Sequence, residues 1–323
     1  MKKIVITGSI AYDYLMSFPG QFKKVIMPEQ LEHISLSFLV DEMVKQRGGV
    51  APNIAYTMAM LGGRPSIMAT AGQDFAEYRA WLNGIGVDTS AIVEIPDVFT
   101  ASFFSTTDQD QNQIASFYTG AMAYASELTF KAYAPDADLA IISPNDPVAM
   151  QSYIRECKEL GIRYIFDPSQ QTIRMSGEEL YAGIDGCYIL AVNKYEFHLI
   201  EERTGLDRKA ILDKVGGLLI TSGAKGSELT IDGEQWRIPV VPPMQIVEPT
   251  GAGDAFRGGL LRGINMDAPW PVAARMGALA STYVLENMGP QGHQFTAQSF
   301  VERYREHFDD EGVLDSLIAV SEW

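Results

Sequence analysis

Residues 248–261 read EPTGAGDAFRGGLL, and the order of types in that stretch raises a chemical question. Gly251, Ala252 and Gly253 allow a sharp turn and the close approach of something large, and the apolar run after Asp254 has a helical pattern. Successive N–H groups from Gly251 to Asp254 at a helix start form a concave nest that attracts an anion. An acid is an odd neighbour for a phosphate. It fits if the glycine turn holds a transferring phosphoryl group while the carboxylate takes the proton of the hydroxyl that attacks it. Asp254 as a simple N-cap is the plainer account, but an N-cap does not require glycines on the preceding turn.

Four other stretches carry polar groups at suggestive places. In QRGGVAPNIAYTMAMLGG (46–63), Gly48 and Gly49 permit close backbone approach and Asn53 sits in the first turn of a helix, an arrangement suited to a vicinal hydroxyl pair or simply a glycine turn feeding a packed helix. In TGSIAYD (7–13), Asp13 falls just past the first strand with Ser9 four residues before it, where a carboxylate can accept from two adjacent sugar hydroxyls or equally be a surface turn aspartate. Asn193 and Glu196 in NKYE suit hydrated Mg²⁺ held by few protein ligands, or equally a helix cap. Thr221, Ser222, Gly223 and Gly226 in TSGAKG could cradle nucleotide phosphates, or turn a hairpin into SELTIDG. No GxGxxG follows the first strand and no GxxxxGK[ST] occurs, which removes two common nucleotide loops. The histidines at 33, 198, 293 and 307 form no HExxH, which argues against a zinc hydrolase.

Short apolar runs bounded by turn residues must position these groups: 3–8, 65–72, 138–143, 163–168, 187–193 and 217–223. Helical patterns lie between several of them, as at 147–161 and 194–205. Runs apolar on both faces, alternating with helices, predict an α/β fold with a mostly parallel sheet covered on both sides. Ligands of such sheets sit beyond the carboxyl ends of the strands, where most of the residues above fall. Two regions break the rhythm, 15–47 and 98–118. The second reads as a hairpin, with Phe103 and Ser105 alternating with Phe104 and Thr106 before a polar turn. Together they are read as a small β-rich lid inserted into one domain over 1–323, and 296–323 as helical packing.

The chain has 323 residues, 46% hydrophobic and 20% charged, which is ordinary for a globular protein. A formal net charge of −16 argues against nucleic-acid and anionic-membrane partners, whose affinity depends on Lys and Arg. No segment approaches the roughly 20 apolar residues of a membrane span. The opening MKKIVITGSIAYDYL reads as a first strand and not as a leader, because its apolar run is short and soon meets Asp13. Cys157 and Cys187 have no metal spacing and read as buried thiols, so a cytoplasmic location is expected.

Taken in order, these motifs resemble those of the ribokinase-like, or PfkB, carbohydrate kinases. Gly48, Gly49 and Asn53 match the family's GG-x-x-x-N, Asn193 and Glu196 its N-x-x-E, and Pro249 to Phe256 its C-terminal signature. Within the family the chain is most similar to the adenosine kinases of bacterial type, over TGSIAYDYLMSFPGQF, SLSFLVDEMVKQRGGVAPN, QIASFYTGAM and DPSQQ. The resemblance implies a three-layer αβα fold and ATP-dependent phosphorylation of the adenosine 5′-hydroxyl, giving AMP and ADP, in purine salvage. It implies that Asp254 is the catalytic base and that Gly251, Ala252 and Gly253 form the anion hole. Asn193 then orients the phosphates, with Glu196 on Mg²⁺ through water. Asp13, Gly49 and Asn53, with Ser9 nearby, hold the ribose, while Ser37, Phe103, Phe117, Gln170 and Gln171 surround the adenine.

There are departures from the family pattern. Glu248 stands where the signature commonly opens with a shorter acid, which bears on any monovalent-cation site such as one for K⁺. GQDFAEY (72–78) lacks the final glycine of a frequent G-x-D-x-x-G. The stretch LENMGPQGHQF (285–295) is expected to border the ATP adenine. Alternatives are another nucleoside or sugar kinase of the family, and a non-catalytic nucleoside-binding protein. A homodimer through the lids is expected from a β-rich flap with one apolar face.

Overall fold

The computed structural model describes residues 2–26 and 36–320; His33, part of the first lid segment and the last residues of the tail lie outside them. Among the described residues, strands run in chain order as β1 (Ile4–Thr7), β2 (Ala11–Ser17), β3 (Glu42–Gly48), β4 (Ser66–Gly72), β5 (Ile92–Ile95), β6 (Ala101–Thr107), β7 (Gln113–Tyr118), β8 (Leu139–Ile142), β9 (Arg163–Phe166), β10 (Ile189–Asn193), β11 (Gly217–Thr221), β12 (Ser227–Ile231) and β13 (Glu234–Ile238). The main sheet has nine strands ordered β13-β12-β11-β10-β9-β8-β1-β4-β5. It is parallel from β11 to β5, and β12 and β13 add an antiparallel edge.

Each predicted apolar run is one of its strands, and alternation along them divides the core. Ile4 and Ile6 point into one buried cluster, Val5 into another on the opposite face. Both faces are dry, as a parallel sheet between helices requires. The helical patterns form helices Pro147–Leu160 and Lys194–Thr204, each stopped by a left-handed glycine, Gly161 and Gly205. The tail contributes helices Ala297–His307 and Asp315–Val320. No helix among the described residues is long and apolar enough to cross a membrane.

The stretch AFRGGLLRG lies in helix Ala252–Asn265, and its later glycines serve packing. A Cβ on Gly258 would meet the Ile54 carbonyl at 2.6 Å, and one on Gly263 would meet the Ala273 Cβ at 2.4 Å. Helices Val50–Met60 and Trp270–Leu285 therefore press directly onto its backbone.

A second sheet, ordered β3-β2-β6-β7, stands apart from the first. It draws on both irregular segments, and the expected hairpin is the antiparallel pair β6–β7. It begins earlier than the pattern suggests: Asp13 is not in a turn after the first strand but inside β2, paired with Gln46 and Phe103. The sequence TGSIAYD hides this because Gly8 breaks the chain after Thr7, and β2 resumes in a different sheet.

Candidate active site

The parallel strands end together. Ser9 follows β1, Asn145 follows β8, Asp167 follows β9, Asn193 closes β10 and Thr221 closes β11, so one edge of the sheet collects the polar groups. Helix Ala252–Asn265 points its N-terminus at that edge. Its N-cap is Gly251, in the left-handed region at φ 83°, and not Asp254. A Cβ on Gly251 would lie 2.5 Å from the Pro290 Cβ, so both conformation and space demand glycine. Asp254 is the third helical residue.

Asn53 Nδ2 donates to Asp254 Oδ2 at 2.9 Å, joining two motifs 201 residues apart. Burial pushes the Asp254 carboxyl up to about 7; the Asn53 hydrogen bond and the Arg257 charge resist this, and Asp167 adds to it. It stays partly exposed. A carboxyl poised near neutrality is suited to accepting a proton at physiological pH. Gly49 caps helix Val50–Met60 at φ 92°, and a Cβ there would meet the Ser9 carbonyl at 2.5 Å. Ser9 Oγ in turn accepts from Val50 N at 3.4 Å.

On the lid, register puts Gln46, Asp13, Phe103 and Phe117 in one cross-strand row, hence on one face. Burial, then the nearby Glu248 charge, pushes Asp13 up to about 6. Glu248 itself accepts from Gly289 N at 2.7 Å. Phe117 is 48% exposed, two strands away from Asp13 in that row. In GQDFAEY the position without the glycine is Glu77, which pairs with Arg47 of β3 at 3.1 Å.

Asn193 and Glu196 form a complete capping box. Asn193 Oδ1 accepts from Glu196 N and Glu196 Oε2 accepts from Asn193 N, both at 2.8 Å, while Asn193 Nδ2 donates to Glu196 Oε1 at 2.6 Å. Burial, followed by the Asp167 charge, raises the Glu196 carboxyl above its ordinary value. Among the described residues no group of three metal-ligating side chains occurs. Glu196 could reach a metal through water without breaking its cap, which fits an ion that arrives bound to phosphates.

Thr221, Gly223, Gly226 and Ser227 line an apolar cavity of about 390 Å³ together with Ala252 and Gly253. TSGAKG forms the hairpin turn from β11 to β12, and part of it is one wall of a cavity that reaches the glycine turn. Of the stretch expected beside the ATP adenine only Leu285 lines this cavity. Gly289, Pro290 and Gln291 face the lid instead, because the chain crosses over Gly251.

Not every expected residue converges. Gln171 is buried, with Nε2 donating to the Asn145 carbonyl at 2.7 Å, whereas Gln170 is exposed, as is Ser37. Two residues that sequence reasoning missed lie under the site. Arg257 Nη2 donates to Asp167 Oδ1 at 2.7 Å in a buried pair, and Nη1 donates to the Gly253 carbonyl at 3.1 Å. Burial opposes the charge on Arg257, yet Asp167 holds it above its ordinary value. The signal was present: a charged residue inside AFRGGLL, in an otherwise apolar helix, needs a partner.

Known proteins share this fold. The nucleoside kinase of Methanothermobacter thermautotrophicus is 27% identical, covering 90% of this chain and 91% of its own length. That of Methanocaldococcus jannaschii superposes with a TM-score of 0.84 at 26% identity, over 95% of this chain and 99% of that one. The Burkholderia thailandensis nucleoside kinase in complex with ADP-inosine is 36% identical with a TM-score of 0.79, over 94% of this chain and 96% of that one. Residues 5–296 match the description "pfkB family carbohydrate kinase". With its glycine turn, its aspartate and a two-sheet ribokinase-like fold in place over that span, the chain belongs to the pfkB family of carbohydrate kinases.

Proposed function

We propose that this chain is an ATP-dependent nucleoside kinase that phosphorylates the 5′-hydroxyl of adenosine. The observation that carries the reading is Asp254, held by Asn53 at 2.9 Å and raised to about 7 at the mouth of the glycine turn. A binding protein has no use for a base there. The family membership and the relatives named nucleoside kinases support the class of reaction.

In this reading the ribose lies against Asp13, Gly49 and Asn53, and the base packs on Phe103 and Phe117 of the same lid row. Asp254 takes the 5′-hydroxyl proton as that oxygen bonds to the γ-phosphorus. The bond from the γ-phosphorus to the β–γ bridging oxygen breaks, and ADP leaves with that oxygen. N–H groups at Gly251, Ala252 and Gly253 donate to the equatorial oxygens, that of Ala252 turning from the Pro249 carbonyl it meets at 3.3 Å, and Arg257 beneath them adds fixed positive charge. Asn193, Thr221, Ser222, Gly223 and Gly226 border the nucleotide; Mg²⁺ arriving with its phosphates, which Glu196 would reach through water, would supply charge neutralisation there. Closure of the lid excludes water, so ATP hydrolysis does not compete.

The deciding experiment is ADP release from Mg·ATP with adenosine, inosine, ribose and fructose as acceptors. Turnover on adenosine, absent in Asp254→Asn, is expected. Turnover on a bare sugar alone overturns the nucleoside reading. A second reading, inosine as an equal acceptor, is favoured by the relative whose structure holds ADP-inosine.

A further inference from the structure

A chain of hydrogen bonds runs from an indole to the aspartate. Trp81 Nε1 donates to Gln291 Oε1 at 3.3 Å, Gln291 Nε2 donates to Asn53 Oδ1 at 3.0 Å, and Asn53 Nδ2 donates to Asp254 Oδ2 at 2.9 Å. Gln291 Nε2 also donates to the Tyr78 hydroxyl, whose own proton goes to the Gly48 carbonyl at 3.0 Å.

The direction of this chain follows from its first member. An indole N–H can only donate, whereas each amide could be turned either way. Trp81 therefore requires an oxygen from Gln291. That leaves the Gln291 nitrogen for Asn53, which must answer with its oxygen, and the Asn53 nitrogen is left facing Asp254. If both amides were reversed, two donors would meet at Trp81 and a carbonyl oxygen would face a carboxylate.

The segment bearing Gln291 is held in place. Gly289 N is bound by Glu248, Pro290 packs on the Gly251 turn, and the His293 carbonyl accepts from Tyr56 at 2.7 Å. Trp81 is held as well, stacked on Tyr56 at 6.1 Å with the Arg47 guanidinium 4.7 Å from its ring centre.

We propose that Trp81 and Gln291 are positioning residues that fix the direction of the Asn53 amide and so keep an N–H on Asp254. Neither residue reaches Asp254, and both act through Asn53. The inference rests on the reading that Asp254 is the base. An N–H on the carboxylate favours its ionised, proton-accepting form, while a carbonyl oxygen there opposes it. The other charges acting on Asp254 are Arg257, which favours ionisation, and Asp167, which opposes it. Glu196 bears on Arg257, and the Asp13–Glu248 pair lies on the lid side.

The test compares Gln291→Met, which keeps bulk and loses polarity, with Gln291→Glu and Trp81→Phe. Two readouts are taken: the ¹³C carboxyl titration of Asp254 in the ligand-free protein, assigned by its loss in Asp254→Asn, and the pH profile of kcat/KM. Gln291→Met raises the Asp254 midpoint by about one pH unit, which is a roughly tenfold loss of kcat/KM at pH 6 that recovers by pH 9, with KM for ATP unchanged. Gln291→Glu shifts it further, since Asn53 must then turn its nitrogen to the new carboxylate. Trp81→Phe shifts it in the same direction by less. An unmoved Asp254 midpoint in both Gln291 variants overturns the proposal. If the wild-type protein turns over no nucleoside, the proposed function fails, and the titration still decides the relay.

Discussion

Three aspartates show how placement divides one side chain into different jobs. Asp167 is buried and tied to Arg257, Asp13 is pushed up to about 6 beside Glu248, and Asp254 reaches about 7 at the helix start. Replacing Asp254 by Asn keeps the shape and removes the proton acceptor. Steady-state kinetics are expected to show kcat lower by about 10²–10⁴-fold with near-normal adenosine affinity. Full activity in that variant would remove the base from the mechanism. The same substitution has a stability signature. A carboxyl raised in the fold favours its protonated form, so the stability it contributes is complete below the unfolded value and is lost as pH rises through about 7. An amide cannot ionise. Asp254→Asn should therefore melt above wild type at pH 8, with the gain shrinking as pH falls toward 4.

At the scale of elements, the glycine turn and the lid row are separable devices. Gly251 needs its left-handed φ of 83° and has no room for a methyl beside Pro290. Gly251→Ala should cost about 1–3 kcal/mol in urea unfolding and lower kcat with it, because the turn that aims the helix start is the part displaced. The lid row acts on the acceptor. Phe117 is an exposed ring on the same face as Asp13, and an aromatic contact of that kind contributes about 0.5–1.5 kcal/mol beyond its area. Phe117→Ala should raise KM for adenosine roughly 3–10-fold at unchanged KM for ATP. An unchanged acceptor KM would mean that the base does not stack there. The capping box of Asn193 and Glu196 carries a structural role whatever it does for phosphates, so their variants are read against melting temperature as well as rate.

At the scale of the molecule, the Asp167–Arg257 pair ties the end of β9 to helix Ala252–Asn265 across 90 residues of sequence. Both partners are at most 5% exposed, and breaking one side of such a pair leaves an uncompensated charge. Asp167→Ala should cost about 3–5 kcal/mol in urea unfolding, and adding Arg257→Met should recover part of that loss.

Much of the architecture was legible in one dimension. Apolar runs on both faces marked the strands of the main sheet, helical patterns marked 147–161 and 194–205, and alternation within 98–118 marked the hairpin. Those features follow from local periodicity and turn chemistry, which neighbours in the chain decide. The types of residue that gather at the site were also visible, as Asp254, Asn53, Asp13 and the glycine turns. Tertiary structure alone decided the rest. It moved Asp13 into a second sheet, exposed Gln170 while burying Gln171, and turned 288–292 toward the lid. It also paired Arg257 with Asp167 and ran the line from Trp81 to Asp254. A hydrogen bond or ion pair depends on distance in space, and residues 201 apart in the chain become neighbours only when the strands end at one edge.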